Sequence, residues 1–332
     1  MPAYDAIIIG TGQSGPALAR RLVAAGRKVA IIERKLFGGT CVNTGCTPTK
    51  TLIASAYVAH LARRAADYGV RIEGAVDVDM KAVKARKDAV VGVFRNGVEH
   101  SLKALQGCTV YEGHGHFVAE KKVVVNNSEL SADQIFINVG ARAAIPPIPG
   151  LDKVLYLTNS SMMDIDFRPS HLVILGGSYV GLEFAQAYRR FGSEVTVIEH
   201  GPRLISREDE DVSQAVAGFL KGEGIDVRVN SAIVGVETQG KAIVSKVEST
   251  GKVSQITGSH LLVATGRRPN TDDLGLDKAG IGTDARGYIQ VDDQLRTNGR
   301  WATAMVEARS RTRRGMISRS LRQIYSTTIT DA

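Results

Sequence analysis

Cys41 and Cys46, in the stretch GGTCVNTGCTPTK (residues 38–50), are the side chains of this 332-residue sequence best placed to do chemistry. Two thiols this close can form and break a disulfide, exchanging two electrons each time. A zinc site would need a second ligand pair, and the third cysteine, Cys108, stands alone. Cys46 opens a helical stretch in which Pro48 fits an early turn. A thiol at a helix N-terminus has a depressed pKa, and exchange needs the resulting thiolate. Two buried structural thiols remain the other reading of the pair.

Stepping outward from the cysteines, the clearest organisation is a repeat. Asp5–Glu33 aligns with His171–Glu199 at a constant offset: Gly10 pairs with Gly176, Gly15 with Gly181, Gly26 with Gly192 and Glu33 with Glu199. Each copy reads as a buried strand, a glycine-rich turn, a helix and a second apolar strand ending in glutamate. That is a βαβ unit with a dinucleotide fingerprint. Gly10 and Gly12 permit a tight turn and a close backbone approach to a pyrophosphate, and Gly15 permits close packing of helix on strand. The helix start offers free N–H groups and partial positive charge to the phosphates. Glu33 and Glu199 are spaced to accept hydrogen bonds from ribose hydroxyls. The second copy has Ser178 at the middle glycine position. Two such sites on one chain suggest two cofactors, or a cofactor and a diffusing nucleotide.

Between the copies, the pattern predicts helices over about 51–68 and 79–106 and short strands around 110–125 and 134–139. A connector follows in Ile145–Gly150, and a later strand ends at Thr265-Gly266. The expected fold is α/β, with two Rossmann-like, doubly wound dinucleotide-binding domains. Residues 1–150 form the first, to which the chain returns over about 269–298, and 151–268 form the second. His114 and His116 read as solvated turn residues and Cys108 as a small buried hydrophobe. Arg142, Arg267 and Arg268 flank the domain crossings as surface charge, and no metal site is expected.

GGTCVNTGCTPTK, set between a GTGQSG fingerprint and a second fingerprint, resembles the class I pyridine nucleotide–disulfide oxidoreductases over residues 4–298, in wording nearest the mercuric-reductase-like branch. The resemblance implies that Gly10, Gly12, Gly15 and Glu33 bind the ADP half of FAD, with Gly39, Thr40 and Gly140 also on the cofactor. It makes Cys46 the charge-transfer thiolate against the flavin and Cys41 the interchange thiol that meets substrate. It pairs Lys50, near the flavin, with Glu183. It puts Gly176, Ser178, Gly181 and Glu199 on NAD(P)H, with Tyr179 covering the nicotinamide pocket, and makes Gly140 and Thr265-Gly266 the two connections between the FAD and NAD domains, Gly266 also being cofactor-binding. Electrons would pass from NAD(P)H through flavin to a Cys41–Cys46 disulfide and on to a small-molecule or metal-ion acceptor. A dihydrolipoyl dehydrogenase-like or glutathione reductase-like enzyme is the alternative within the family, and a non-catalytic nucleotide-binding remnant the alternative outside it. Glu199 would repel a 2′-phosphate, so NADH is expected over NADPH.

Composition narrows the class. No run approaches the roughly 18 apolar residues of a membrane span. The start, Met1-Pro2-Ala3-Tyr4-Asp5, lacks a basic leader region, so a cytoplasmic location is expected. The net charge of +8 could suggest a nucleic-acid or membrane partner. Most of it, however, sits in residues 299–332, with seven arginines against Glu307 and Asp331. Neither partner is expected, since the tail has no lysine and only Trp301 and Tyr325 as aromatics. After Arg296-Thr297-Asn298 the family continues through a Gly-Asp flavin contact into an interface domain that forms the homodimer, and this text does not. Permitted codons for Ala302–Ala332, read from the third base, give a peptide beginning DGNGRGAFTHTS that resembles that continuation. The tail is therefore expected to be a frameshift product that truncates the chain and impairs activity.

Overall fold

Ala6-Ile7-Ile8-Ile9 is a continuous apolar run because it is covered on both faces, as a central parallel strand must be. Ile7 and Ile9 face one core, with Ala30, Ile32, Phe117 and Ile137, while Ala6 and Ile8 face another, with Ala19, Ile31, Phe37 and Leu102. The structure, a computed structural model, describes residues 2–299 and 301–305. The basic tail and its frameshift reading lie outside the described residues, apart from its first few. The chain divides into two compact units: residues 1–47, 91–142 and those from 267 on form one, and 48–90 with 143–266 form the other.

In the first unit β1 (Ala3–Ile9) leads through α1 (Ser14–Ala24) to β2 (Val29–Glu33), then to the short α2 (Gly39–Asn43) and the start of α3 (Cys46–Arg63). The chain re-enters through the second half of α4 (Met80–Lys103) into β3 (Cys108–Glu112), β4 (Gly115–Ala119), β5 (Lys122–Val125) and β6 (Ser128–Ile137). Four parallel strands run in the order β3-β2-β1-β6. The far edge of β6 is shared. Its first residues pair antiparallel with β5, and Ile135–Ile137 pair in parallel with a late strand, Ala302–Ala304.

The helices differ from expectation at their ends. Cys46 begins α3 as expected, with Pro48 in the first turn, where its missing N–H costs nothing, but the helix ends at Arg63 and not near 68. Asp79 accepts from the amides of Lys81 and Ala82 and starts α4. Four strands occupy 108–137, and the last begins at Ser128, six residues before the expected 134.

The second unit repeats the plan. Parallel strands at Asp226–Arg228, Glu194–Ile198, His171–Leu175, His260–Val263 and Tyr156–Leu157 lie in that order. Helix α5 (Tyr179–Phe191) links the first repeat strand to the second, and α6 (Glu210–Gly222) precedes Asp226–Arg228. A three-stranded antiparallel sheet, Ser231–Gln239, Ala242–Ser249 and Lys252–Gly258, shares a core with the parallel sheet through Val173, Leu175, Ile243, Val247 and Ile256. Among the described residues no helix is long and apolar enough to cross a membrane.

Candidate functional site

Sterics build the first fingerprint turn. Gly10 has φ +106°, and a Cβ there would stand 2.3 Å from the carbonyl oxygen of Asn138, so only glycine fits. A Cβ on Gly15 would lie 2.5 Å from the Gly10 oxygen, which lets α1 pack directly on the turn. Glu33 closes the loop from below. Its Oε2 accepts from the amide and hydroxyl of Thr11, at 3.1 and 2.5 Å, and its Oε1 from the Lys35 amide at 2.9 Å. A carboxylate has about four acceptor positions, so one remains for a ligand hydroxyl.

Asn138, which sequence reasoning passed over, holds the turn together. It is buried, and its Nδ2 donates to the carbonyls of Gly10 and Gly12 at 3.1 and 3.3 Å. A lone polar residue at the end of the run Ile135-Phe136-Ile137 was the available signal.

The same constraints recur in the second unit. Gly176 has φ +115° with a Cβ position 2.5 Å from the Ala264 oxygen, and a Cβ on Gly181 would meet the Gly176 oxygen at 2.2 Å. The Gly177 amide donates to Glu199 Oε2 at 2.7 Å, as Thr11 does to Glu33, while the Gly201 amide takes Oε1 at 2.8 Å. Neither α1 nor α5 has an acid in its first turn or a side-chain cap; exposed Ser178 starts α5 without one. By contrast, α6 carries Glu210 and Asp211. Two helix starts left free of carboxylates fit the pyrophosphates of two dinucleotides.

The cysteines belong to the first unit. Gly39 begins α2 so close to the fingerprint turn that a Cβ there would come within 2.8 Å of Gly12 Cα. The Thr40 carbonyl accepts from the Thr44 amide at 2.9 Å. The chain then doubles back, since a Cβ on Gly45 would lie 3.2 Å from Cys41 Cα. Half-buried Cys41 and exposed Cys46 flank this fold, and Cys46 is the first residue of α3. Lys50 follows one turn along α3. In the second unit its Nζ meets Glu183 Oε1 of α5 at 2.5 Å, with the two side chains 26% and 12% exposed. Glu183 is thus a sheltered ion-pair partner and not a solvated helix residue.

Tyr179 donates its hydroxyl to Glu208 Oε1 at 2.5 Å, and burial together with this carboxylate pushes the phenol pKa upward. Nothing in local sequence flags Glu208. The crossing glycines are tied by backbone: the Gly140 oxygen accepts from Asn270, and the Gly266 oxygen from Ala144, each at 3.0 Å. His116 lies in β4, not in a turn, and its ring stacks on His114 at 5.7 Å. Arg142 is ion-paired with Asp272 at 2.6 Å and holds that carboxyl below its ordinary pKa, so it is more than surface charge. Burial pushes the half-buried Cys108 thiol up to about 11. Among the described residues no group of three His, Cys, Asp or Glu side chains could hold a metal ion.

With this geometry in hand, comparison with known proteins is direct. The family profile described as "Pyridine nucleotide-disulphide oxidoreductase" matches residues 4–301. A mercuric reductase of Bacillus cereus is 37% identical over 294 residues, covering 89% of this chain and 46% of its own length. The probable pyridine nucleotide-disulfide oxidoreductase RclA of Escherichia coli is 35% identical, covering 90% and 64%. A dihydrolipoyl dehydrogenase of Acholeplasma laidlawii is also 35% identical, covering 89% and 87%. The solved structure of the Cu(II) complex of the HOCl-induced flavoprotein disulfide reductase RclA superposes with a TM-score of 0.84 at 32% identity, covering 98% of this chain and 70% of that one. The chain thus spans about half to two-thirds of the first curated relatives it matches. The doubled fingerprint, the cysteine fold and these matches agree, and the chain belongs to the pyridine nucleotide-disulphide oxidoreductase family.

Proposed function

We propose that this chain is an NAD(P)H-dependent flavin disulfide oxidoreductase of mercuric-reductase-like type, acting on a small-molecule or metal-ion acceptor. The observation that carries the reading is the cysteine fold at the start of α3 with the Lys50–Glu183 ion pair one turn on. FAD would lie on the α1 turn, with Gly10, Gly12 and Gly15 leaving room for its pyrophosphate and Glu33 meeting its ribose. NAD(P)H would lie on the α5 turn in the same manner, through Gly176, Gly181 and Glu199. FAD, when bound, supplies the two-electron relay between nicotinamide and cysteines.

The rest belongs to the chain's own groups. One NAD(P)H and one proton convert the Cys41–Cys46 disulfide into two thiols and release NAD(P)⁺. The partial positive charge at the start of α3 favours a thiolate at Cys46. Glu183 holds the Lys50 ammonium in one place, so that it can act as a fixed positive charge. Cys41 would take the acceptor. A disulfide substrate would be attacked by its thiolate and leave as two thiols, restoring Cys41–Cys46. A mercuric ion would be bound by the cysteine thiolates and leave as the neutral metal, the two electrons of NAD(P)H passing to the ion and one proton to solution.

Reconstitution with FAD tests this reading. The purified protein should turn yellow, and anaerobic NADH should then raise its accessible thiols by two per chain. A protein that binds no flavin and gains no thiols would overturn it.

A further inference from the structure

The ion pair between Lys50 and Glu183 has a companion further along both helices. Seven residues after Lys50 on α3 comes Tyr57, and seven after Glu183 on α5 comes Arg190. The Arg190 guanidinium carbon lies 5.7 Å from the centre of the Tyr57 ring. Seven residues are close to two full turns, so each helix presents both of its partners on one face. Within the second unit α3 and α5 therefore run side by side in the same direction, their register marked at two points. A third contact comes from the last residue of α3, where Arg63 Nη1 donates to the Arg190 carbonyl oxygen.

Arg190 is only 5% exposed, so its charge must be answered inside the protein. Its Nε and Nη2 donate to both oxygens of Glu223 at 2.8 and 2.6 Å, and Gln186 adds a bond of 2.8 Å to the same carboxylate. The fork is thereby held along its edge, and its flat face is left for the aromatic ring. A desolvated cation–π pair of this kind is among the stronger ones.

We propose that Tyr57 and Arg190 are positioning residues that set the register of α3 against α5, so that the Lys50 ammonium meets Glu183. This rests on the reading of Lys50 as the flavin-side cation. Lysine is a flexible stem carrying a point charge, and holding it to one carboxylate costs rotamer freedom. Turning α3 by one residue would swing Lys50 through about 100° and away from its partner. The planar pair two turns on resists that rotation.

A coupling measurement in the full chain decides the matter. Urea unfolding of Lys50→Met, Glu183→Gln and the double variant should show about tenfold non-additivity in the unfolding constant. In a Tyr57→Leu background the same cycle should be additive to within about twofold, while Tyr57→Phe, which keeps the ring face, should preserve the coupling. If Tyr57→Leu does not fold, an Arg190→Lys background serves the same comparison, keeping the charge and losing the flat face. Coupling undiminished when the ring or the fork is lost would overturn the inference, whatever happens to overall stability. A separate readout addresses the underlying reading. Lys50→Met should shift the visible spectrum of bound FAD, and Tyr57→Leu should shift it the same way. A spectrum unmoved by Lys50→Met would overturn the flavin-side role of Lys50, and the coupling result would still stand or fall on its own.

Discussion

In the proposed reading, Glu199 would offer the second nucleotide a carboxylate where a 2′-phosphate would need a cation. The neighbouring Arg203 is already committed, its Nη2 donating to the carbonyls of Ser206 and Glu208 at 3.3 Å each. We therefore expect NADH to bind more tightly than NADPH, by roughly tenfold or more, as fluorescence titration would read it. Tighter binding of NADPH would contradict this account. The three thiols also part company on chemistry. Burial holds the Cys108 thiol near 11, far above the ordinary thiol, so it stays protonated and slow to alkylate at pH 8. After mild reduction, iodoacetamide at pH 8 should label Cys41 and Cys46 first and reach Cys108 readily only as the pH approaches 11. Equal labelling of all three at pH 8, read by peptide mass, would count against it.

At the scale of elements, the two βαβ units share a mutational signature. Gly15 and Gly181 have no need of unusual φ, yet a methyl at either would press on a carbonyl oxygen 2.5 or 2.2 Å away. Gly15→Ala and Gly181→Ala should each cost about 1–3 kcal/mol and loosen the nucleotide on their own unit. Calorimetry with each nucleotide would show the pairing, and a variant that weakened both sites equally would refute it. These units were legible in the sequence because both faces of their strands are buried, which leaves an uninterrupted apolar run before each turn. The start of α3 was too, through Pro48 beside Cys46, but its end at Arg63 was not, since a short separate turn, Ala65–Tyr68, follows at once. Asn138, Glu208 and the Arg190–Glu223 pair were hidden for another reason. Each acts on a partner brought near by tertiary folding, 29 residues away for Glu208 and 128 for the bond from Asn138 to Gly10, and no local spacing records that.

For the molecule as a whole, the repeat means that one architecture was used twice with one hydrogen-bonding scheme, from strand to turn to closing glutamate. The basic text from about residue 300 stands apart from both copies. We propose that it is read out of frame, and sequencing the DNA would test this. The other frame should stay open across these codons and read on into a His-Pro-containing domain, whereas stops within its first thirty codons would refute the proposal.

The late strand Ala302–Ala304 carries a further consequence, for solubility. It covers the backbone of Ile135–Ile137 on an edge of β6 whose two isoleucines are fully buried. Cutting the protein after Asn298 would strip that cover and leave a short apolar edge with open donors and acceptors, ready to recruit a strand from another chain. Such a shortened protein should elute as assemblies in size-exclusion chromatography and scatter light on warming. A monodisperse product at the same concentration would show that this edge can be left bare without harm.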